Sequence, residues 1–98
     1  MNVRETLCSA VRSRHIVEFS YDGHQRRVEP YVVWEATDDD WQLGGWSLGF
    51  SASESEPPWR CYNLSKIRDV TISNDTFLGN REGYNRNADR YENACCKL

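Results

Sequence analysis

The chain has 98 residues, the length of one domain, with a formal net charge of −3. Its 28% of charged residues and its mean hydropathy of −0.77 exclude a membrane protein, because no apolar run approaches the length of a bilayer span. The acidic balance argues against unspecific binding of duplex nucleic acid, which depends on neutralising phosphates. The N-terminus, Met1 to Glu5, lacks the basic and apolar regions of a secretory signal, so we expect the cytoplasm.

The four cysteines form no metal-binding motif, because the sequence has no CxxC pair and neither histidine stands at ligand spacing from a cysteine. Without a secretory signal, unpaired thiols are favoured over two disulfides. We interpret the Cys95–Cys96 pair as incidental, since adjacent cysteines rarely bridge without strain. The sequence therefore predicts no metal and no cofactor.

A short helix is predicted at the start of the chain. Asn2 can cap it, and Glu5 follows in the position of a capping box. The helical spacing of apolar residues gives one face, formed by Val3, Leu7, Ala10 and Val11. We expect the helix to end near Ser13 or Arg14 and to need another element to dock on.

From His15 the apolar period changes to two, which predicts a first strand with Val17, Phe19 and Tyr21 on one face. Asp22-Gly23 is a strong hairpin turn signal, because such turns demand positive φ angles. A return strand over residues 25–29 brings Val28 inward. Pro30 then marks an edge, a bend or a strand start, since proline cannot donate to a ladder.

A third strand is predicted from the β-branched and aromatic residues at 31–36. The acidic residues 38–40 are interpreted as a solvated hairpin tip rather than a metal site. The fourth strand runs from Trp41 to about Ser47, and its Gly44-Gly45 pair predicts a bend, a bulge or close approach of another backbone. Residues 48–58 are rich in Ser, Glu and Pro and predict a long surface loop.

The fifth strand begins near Trp59, and residues 64–67 indicate a tight turn with two apolar anchors. Val70 and Ile72 alternate in a last short strand, and Phe77 is the last predicted core residue. These elements predict a mainly β domain over residues 1–77. Residues 78–98 form a polar tail that is either disordered or docks a partner or a second copy.

Three motifs in this order resemble those of the WYL domain family, named after a Trp-Tyr-Leu tripeptide on its central strand. The tripeptide position falls on residues 41–43, Arg-x-Val-x-Pro on residues 26–30, and Arg-x-Phe-Arg-Leu-Asp-Arg-Ile on residues 60–67. The resemblance spans roughly residues 7–77. It implies a short helix followed by a five-stranded Sm-like or SH3-like β-barrel. Because no helix-turn-helix precedes the barrel in this sequence, we expect a standalone or truncated form.

The resemblance implies a regulatory, ligand-sensing module, of the kind found in bacterial transcription regulators and in phage defence. The implied ligand is a nucleotide or single-stranded nucleic acid held by basic and aromatic residues. The residues implied for this pocket are Arg26, Arg60, Lys66, Tyr21, Tyr31, Gln42, Tyr62 and Asn63. Gln42 and Asn63 depart from the family's tyrosine and arginine, which predicts weaker anion binding, because a guanidinium binds phosphate in a bidentate fork.

No catalytic constellation stands out: the sequence has no Gly-rich phosphate loop, no HExxH and no nucleophile elbow, so we predict a protein that is not an enzyme. The alternative to ligand sensing is a protein-interaction or dimerisation module with a decayed pocket, encoded by a phage or mobile element. Trp41 is interpreted as a core residue. Trp46 and Trp59, if exposed, would make a protein-contact patch.

Overall fold

The computed structural model describes residues 2–48, 59–78, 81 and 84–98. One helix precedes a six-stranded antiparallel sheet. The elements in chain order are α1 (Val3–Ser13), β1 (His15–Tyr21), β2 (His24–Thr37), β3 (Asp40–Ser47), β4 (Trp59–Asn63), β5 (Arg68–Thr76) and β6 (Ala94–Lys97), with 3-10 turns at Leu64–Lys66 and Asp89–Tyr91. The predicted mainly β fold with an N-terminal helix is confirmed. The predicted surface loop lies outside the described residues, apart from Leu48.

Local signals set both ends of α1 as the sequence predicted. The Glu5 backbone N–H donates to Asn2 Oδ1 over 2.8 Å, which satisfies one donor of the first turn. Arg14 takes a left-handed conformation with φ of 56° and ends the helix. The buried residues of α1 all point to one side of the sheet: Leu7, Cys8, Ala10 and Val11.

The first hairpin follows from its turn residues. Asp22 and Gly23 both take positive φ, 52° and 78°, as a two-residue turn between twisted strands requires. The turn fixes the register of β1 on β2, in which Val17 lies opposite Val28 and Phe19 opposite Arg26. The predicted hairpin and its inward valines are confirmed.

β2 is one continuous strand, whereas the sequence predicted two strands here, over residues 25–29 and 31–36. It runs without interruption through Pro30, and a bulge follows directly at Tyr31. Pro30 lies opposite Gly45 and Val32 opposite Gly44, so that Tyr31 is the extra residue. The extra residue reverses the alternation, and for that reason Val28 and Val33 face one side of the sheet while Val32 faces the other.

Close approach explains the Gly44-Gly45 pair. A Cβ on Gly45 would stand 2.5 Å from Val28 Cγ1 and 2.6 Å from the Glu29 carbonyl oxygen. A Cβ on Gly44 would stand 2.9 Å from Val32 Cγ1. Of the three alternatives that the sequence left open here, two are observed: close approach of the neighbouring strand, and a bulge, which lies in β2 opposite this glycine pair.

The strand order is β4-β3-β2-β1-β5, with β6 added to β2 beyond the end of β1. The sheet is open and does not close into the five-stranded barrel that was predicted. The extra strand comes from the tail: Val33 lies opposite Cys96 and Trp34 opposite Ala94. The sequence Ala-Cys-Cys-Lys has a low β propensity, so it did not predict a strand. The strand forms because it pairs with β2, which is distant in sequence.

The two faces of the sheet carry separate cores. We call the side against α1 the helix face; its buried residues on the strands are Val17, Phe19, Val28, Val33, Leu43 and Tyr62. We call the other side the tail face; its buried residues include Ile16, Tyr31, Val32, Trp34, Phe77 and Tyr91. The helix face matches the predicted core. The tail face extends the core beyond Phe77, which was predicted to be its last member.

The prediction of unpaired thiols is wrong for two of the four cysteines. Cys8 on α1 and Cys96 on β6 form a disulfide between residues 88 positions apart in sequence, while Cys61 and Cys95 are exposed thiols. Residues 84–98 therefore pack on the domain. Docking of a partner by this segment stays a prediction, and so does the domain boundary at residue 77.

Candidate functional site

A cluster of polar groups lies on the helix face where β2, β3 and β4 run side by side. The register places Ser47 opposite Val28, Gly45 opposite Arg60 and Leu43 opposite Tyr62. Arg26 stands two residues before Val28 on the same face. We call the cluster of Arg26, Ser47, Arg60 and Tyr62 the arginine–tyrosine site. Three of its four members were predicted. Ser47 was not, although the period of two along β3 places it on the same face as Leu43 and Gly45.

Arg26 is the unusual member of the arginine–tyrosine site. It is only 9% exposed, and its Nε is buried without a hydrogen-bond partner in the described part of the chain. No carboxylate among the described residues forms an ion pair with it. An arginine in a protein stays protonated, and a buried charge needs a counter-charge or hydrogen bonds to be tolerated. The site therefore has an unmet capacity to donate to an anion.

Tyr62 adds a second buried group of the same kind. Its Oη forms no well-aligned hydrogen bond to the described residues, although the Ser47 side chain lies near enough to affect the pKa of the phenol. Burial raises the pKa of Tyr62, while Ser47 and the charges of Arg60 and Arg26 act to lower it. The phenol thus stays protonated and can donate. Its ring is held edge-on by Phe19 and Tyr21, at centroid distances of 5.2 and 5.1 Å.

Arg60 supplies the second positive charge of the site. Its Cζ lies 5.9 Å from the centroid of the Tyr62 ring, and the side chain is half-buried. Tyr21 borders the site, and its hydroxyl accepts a hydrogen bond of 3.1 Å from the Asn63 backbone N–H. Four residues of the predicted pocket therefore come together: Arg26, Arg60, Tyr62 and Tyr21.

The structure separates the other predicted pocket residues from this site. Gln42 Nε2 and Asn63 Nδ2 both donate to Asp40 Oδ1, over 2.9 and 3.2 Å, which places a carboxylate between them. Lys66 is exposed in the 3-10 turn. Tyr31 is fully buried on the tail face, and its hydroxyl accepts from the Arg81 backbone N–H over 2.8 Å.

A cavity of about 470 Å³ opens between the start of α1 and the β2–β3 turn. The Arg4 guanidinium carbon lies 4.5 Å from the Trp41 ring centroid in this cavity. Trp41, which was interpreted as a core residue, is half-buried. Asp39 and Asp40 also line it. In the part of the chain that the structure describes, no group of three His, Cys, Asp or Glu residues could hold a metal ion.

Sequence and structure comparisons relate the chain to known proteins. The pattern of the WYL domain family matches residues 2–72, and the chain therefore belongs to the WYL domain family, whose members are regulatory, ligand-sensing domains. The fold is similar to part of the proteasome accessory factor B/C (PafBC) of Arthrobacter aurescens, with a TM-score of 0.63 and 17% identity. The likeness covers 83% of this chain and only 13% of that protein. A search among curated proteins finds no match.

Among the residues that the structure describes, no helix has both the length and the apolar character that a bilayer crossing requires.

Proposed function

We propose that this WYL domain binds a nucleotide or single-stranded nucleic acid at the arginine–tyrosine site, and that the bound ligand modulates a partner protein in transcription or phage defence. The domain acts in the cytoplasm and catalyses no reaction. The observation that carries the proposal is the buried Arg26 guanidinium, which no carboxylate of the described residues neutralises. A phosphate group would supply the missing counter-charge.

The surroundings of Arg26 support a phosphate ligand in two ways. Arg60 places a second positive charge beside the same tyrosine, and Tyr62 and Ser47 offer hydroxyl groups. Aromatic side chains at the edge of the site, such as Tyr21, provide a face on which a base can stack. Acidic side chains elsewhere on the surface oppose unspecific binding, so that binding depends on this local charge.

Arg27 offers a matched control for the test. It carries the same charge one residue further along β2, but it faces the other side of the sheet and already pairs with Glu18 and Asp75. Fluorescence anisotropy of a labelled oligothymidylate and a labelled nucleotide is measured against the full chain over a salt series. Arg26→Gln is expected to weaken binding and to reduce the salt slope by roughly 0.7. Arg27→Gln should leave both unchanged. Absence of binding at low salt, or equal losses in the two variants, would overturn the proposal.

A second candidate, a protein-interaction or dimerisation module with a decayed pocket, is favoured by the hydrogen bonds of Asp40. Its carboxylate accepts a hydrogen bond from each of the two side chains at which the sequence departs from the family pattern, Gln42 and Asn63. A negative charge there repels phosphate. Under this alternative the protein forms a dimer or a complex whose size, measured by light scattering, does not change in Arg26→Gln.

A further inference from the structure

The C-terminal segment, Arg81 and residues 84–98, lies beyond the family match of residues 2–72 and covers the tail face. Tyr91 packs edge-on against Trp34, with ring centroids 5.0 Å apart. Tyr84 lies 5.0 Å from Tyr31 and 5.5 Å from Trp59, again between centroids. Without this segment, the rings of the tail face would form an exposed apolar patch, which in soluble proteins marks an interaction surface.

Main-chain hydrogen bonds hold the segment in addition to the ring contacts. β6 extends the sheet by pairing with Val32, Val33 and Trp34 of β2, past Val28, the last β2 residue that pairs with β1. The Leu98 backbone N–H donates to the Tyr31 carbonyl oxygen over 2.9 Å, and Tyr84 Oη donates to the Leu98 carbonyl over the same distance. An added strand is a common mode of peptide recognition, in which the backbone supplies affinity and side-chain contacts supply specificity.

A charge pair completes the contact at the other side of the tail face. Arg81 Nε and Nη2 donate to the two oxygens of Glu29, over 2.9 and 3.0 Å, in a bidentate geometry. The Glu29 side chain is only 6% exposed, and the Arg81 guanidinium carbon lies 5.0 Å from the centroid of the Trp46 ring. The tail face therefore contacts an arginine of the segment as well as its aromatic residues.

A covalent bond fixes this cover. The disulfide joins Cys96 of β6 to Cys8 of α1, which belongs to the part of the chain matched by the family. Cys8 is 1% and Cys96 8% exposed, so Cys96 is the half that a thiol reaches more readily. A redox role for this bond depends on the cytoplasmic location proposed above, because a disulfide there is usually transient and catalytic or redox-sensing.

We propose that the tail face is a peptide-binding surface, that the C-terminal segment occupies it in cis, and that the Cys8–Cys96 disulfide locks this occupant in place. The ligand in trans is an extended segment of a partner protein with an arginine and aromatic residues, like the segment it replaces. When Arg81 leaves with the segment, the unpaired Glu29 carboxylate repels phosphate, which favours a peptide over a nucleic acid as the ligand. The surface is separate from the arginine–tyrosine site, and either proposal can fail without the other.

The lock opens by thiol–disulfide exchange with a cellular dithiol of the thioredoxin class. One thiolate of the dithiol attacks a sulfur of the bond, and the other cysteine leaves as a thiolate that takes up a proton. The second thiol of the reductant then resolves the mixed disulfide. The protein gains two electrons and two protons as two thiols form, and the dithiol becomes a disulfide. The segment is then held without a covalent bond, by the pairing of β6, the ring contacts of Tyr84 and Tyr91, and the Glu29–Arg81 pair.

The test uses the full chain and a fluorescein-labelled peptide of residues 81–98 that carries Cys95→Ser and Cys96→Ser. Oxidised wild-type protein is expected not to bind the peptide, whereas protein reduced with dithiothreitol and the Cys8→Ser variant should bind it. The cis segment competes at an effective concentration on the order of millimolar, so the titration must extend to that range. Cys95→Ser serves as the matched control, because Cys95 is adjacent to Cys96 and forms no disulfide; it should behave as wild type.

Two further measurements make the result decisive. Arg81→Ala in the peptide is expected to weaken binding by about tenfold, since it removes the bidentate pair with Glu29. Hydrogen exchange at the β6 amides should speed up by at least about tenfold on reduction. Equal peptide binding by the oxidised and reduced protein, no binding by either, or unchanged β6 exchange would overturn the proposal. Cys96→Ser replaces Cys8→Ser if the latter fails to fold.

Discussion

Arg26 and Arg27 are neighbours on β2 and have opposite surroundings. Arg26 points to the helix face, where its Nε is buried without a partner among the described residues. Arg27 points to the other side, where its guanidinium binds both Glu18 and Asp75. A buried arginine whose Nε lacks a partner, beside other groups that can bind an anion, is typical of a functional site.

Arg26→Met is expected to stabilise the protein. The substitution keeps an unbranched side chain in the core and removes a buried charge whose Nε lacks a partner, which costs about 1–3 kcal/mol. Arg27→Met, the control, should lower the free energy of unfolding by about 1 kcal/mol or less, because its ion pairs are partly exposed. Urea denaturation measures both. A large loss of stability in Arg26→Met would assign this arginine to the structure rather than to ligand binding.

Gly45→Ala is expected to destabilise the sheet more than Gly44→Ala. The new methyl at residue 45 would meet the Glu29 carbonyl oxygen at 2.6 Å, and the backbone there is held in β2. We expect a loss of about 1–3 kcal/mol, as for other overpacked sites. At residue 44 the nearest atom is a Val32 methyl at 2.9 Å, which can move by a small shift. Thermal unfolding of the two variants tests the ranking; equal midpoints would contradict it.

Local signals allowed much of this fold to be predicted from the sequence. The Asn2 cap, the Asp22-Gly23 turn and the apolar alternation of β1 each act over a few residues, and all are observed. The same alternation could have placed Arg26 beside Val28 on the buried face. It could also have added Ser47 to the site, because β3 alternates without a bulge.

Long-range features could not be predicted in this way. The bulge at Tyr31 reverses the faces of the rest of β2, and it arises where Pro30 meets the partner strand. The reversal changes the face of Val32 and of the residues after it, whereas Tyr31 lies on the tail face by simple alternation from Glu29. The Cys8–Cys96 bond depends on where β6 docks, which four cysteines in a sequence do not reveal. Of the predicted pocket, the residues that came together are those whose side chains share the helix face on β1, β2 and β4.

The stability of the protein is expected to fall in alkaline solution as buried tyrosines ionise. Burial is the main cause that raises the pKa of Tyr84 to about 12 from its ordinary value of 10. Between these values the unfolded chain has lost the proton and the folded chain keeps it, so the free energy of unfolding decreases as pH rises, by up to about 1.4 kcal/mol per pH unit. Below pH 10 this contribution is fully present.

Tyr84→Phe tests this dependence. The variant removes the titrating hydroxyl and its hydrogen bond to the Leu98 carbonyl but keeps the ring between Tyr31 and Trp59. Urea denaturation between about pH 9 and pH 11 should show a shallower decline than in wild type. Burial also raises the pKa of Tyr31, Tyr62 and Tyr91, so part of the decline should remain. Identical slopes in the two proteins would contradict the assignment to Tyr84.

Removing one partner of the Glu29–Arg81 pair is expected to harm the fold more than removing both. Arg81→Met leaves the Glu29 carboxylate in a nearly closed environment without its bidentate donor. An unpaired buried carboxylate costs about 1–3 kcal/mol or more, although the exposure of Arg81 reduces the effect. The double variant Glu29→Gln, Arg81→Met should recover most of that loss, since no charge remains to be compensated. Urea denaturation of the two single variants and the double variant measures the coupling. If the double variant shows the sum of the two single losses, the pair contributes nothing as a unit, and the contact of Arg81 with Trp46 accounts for its place on the tail face.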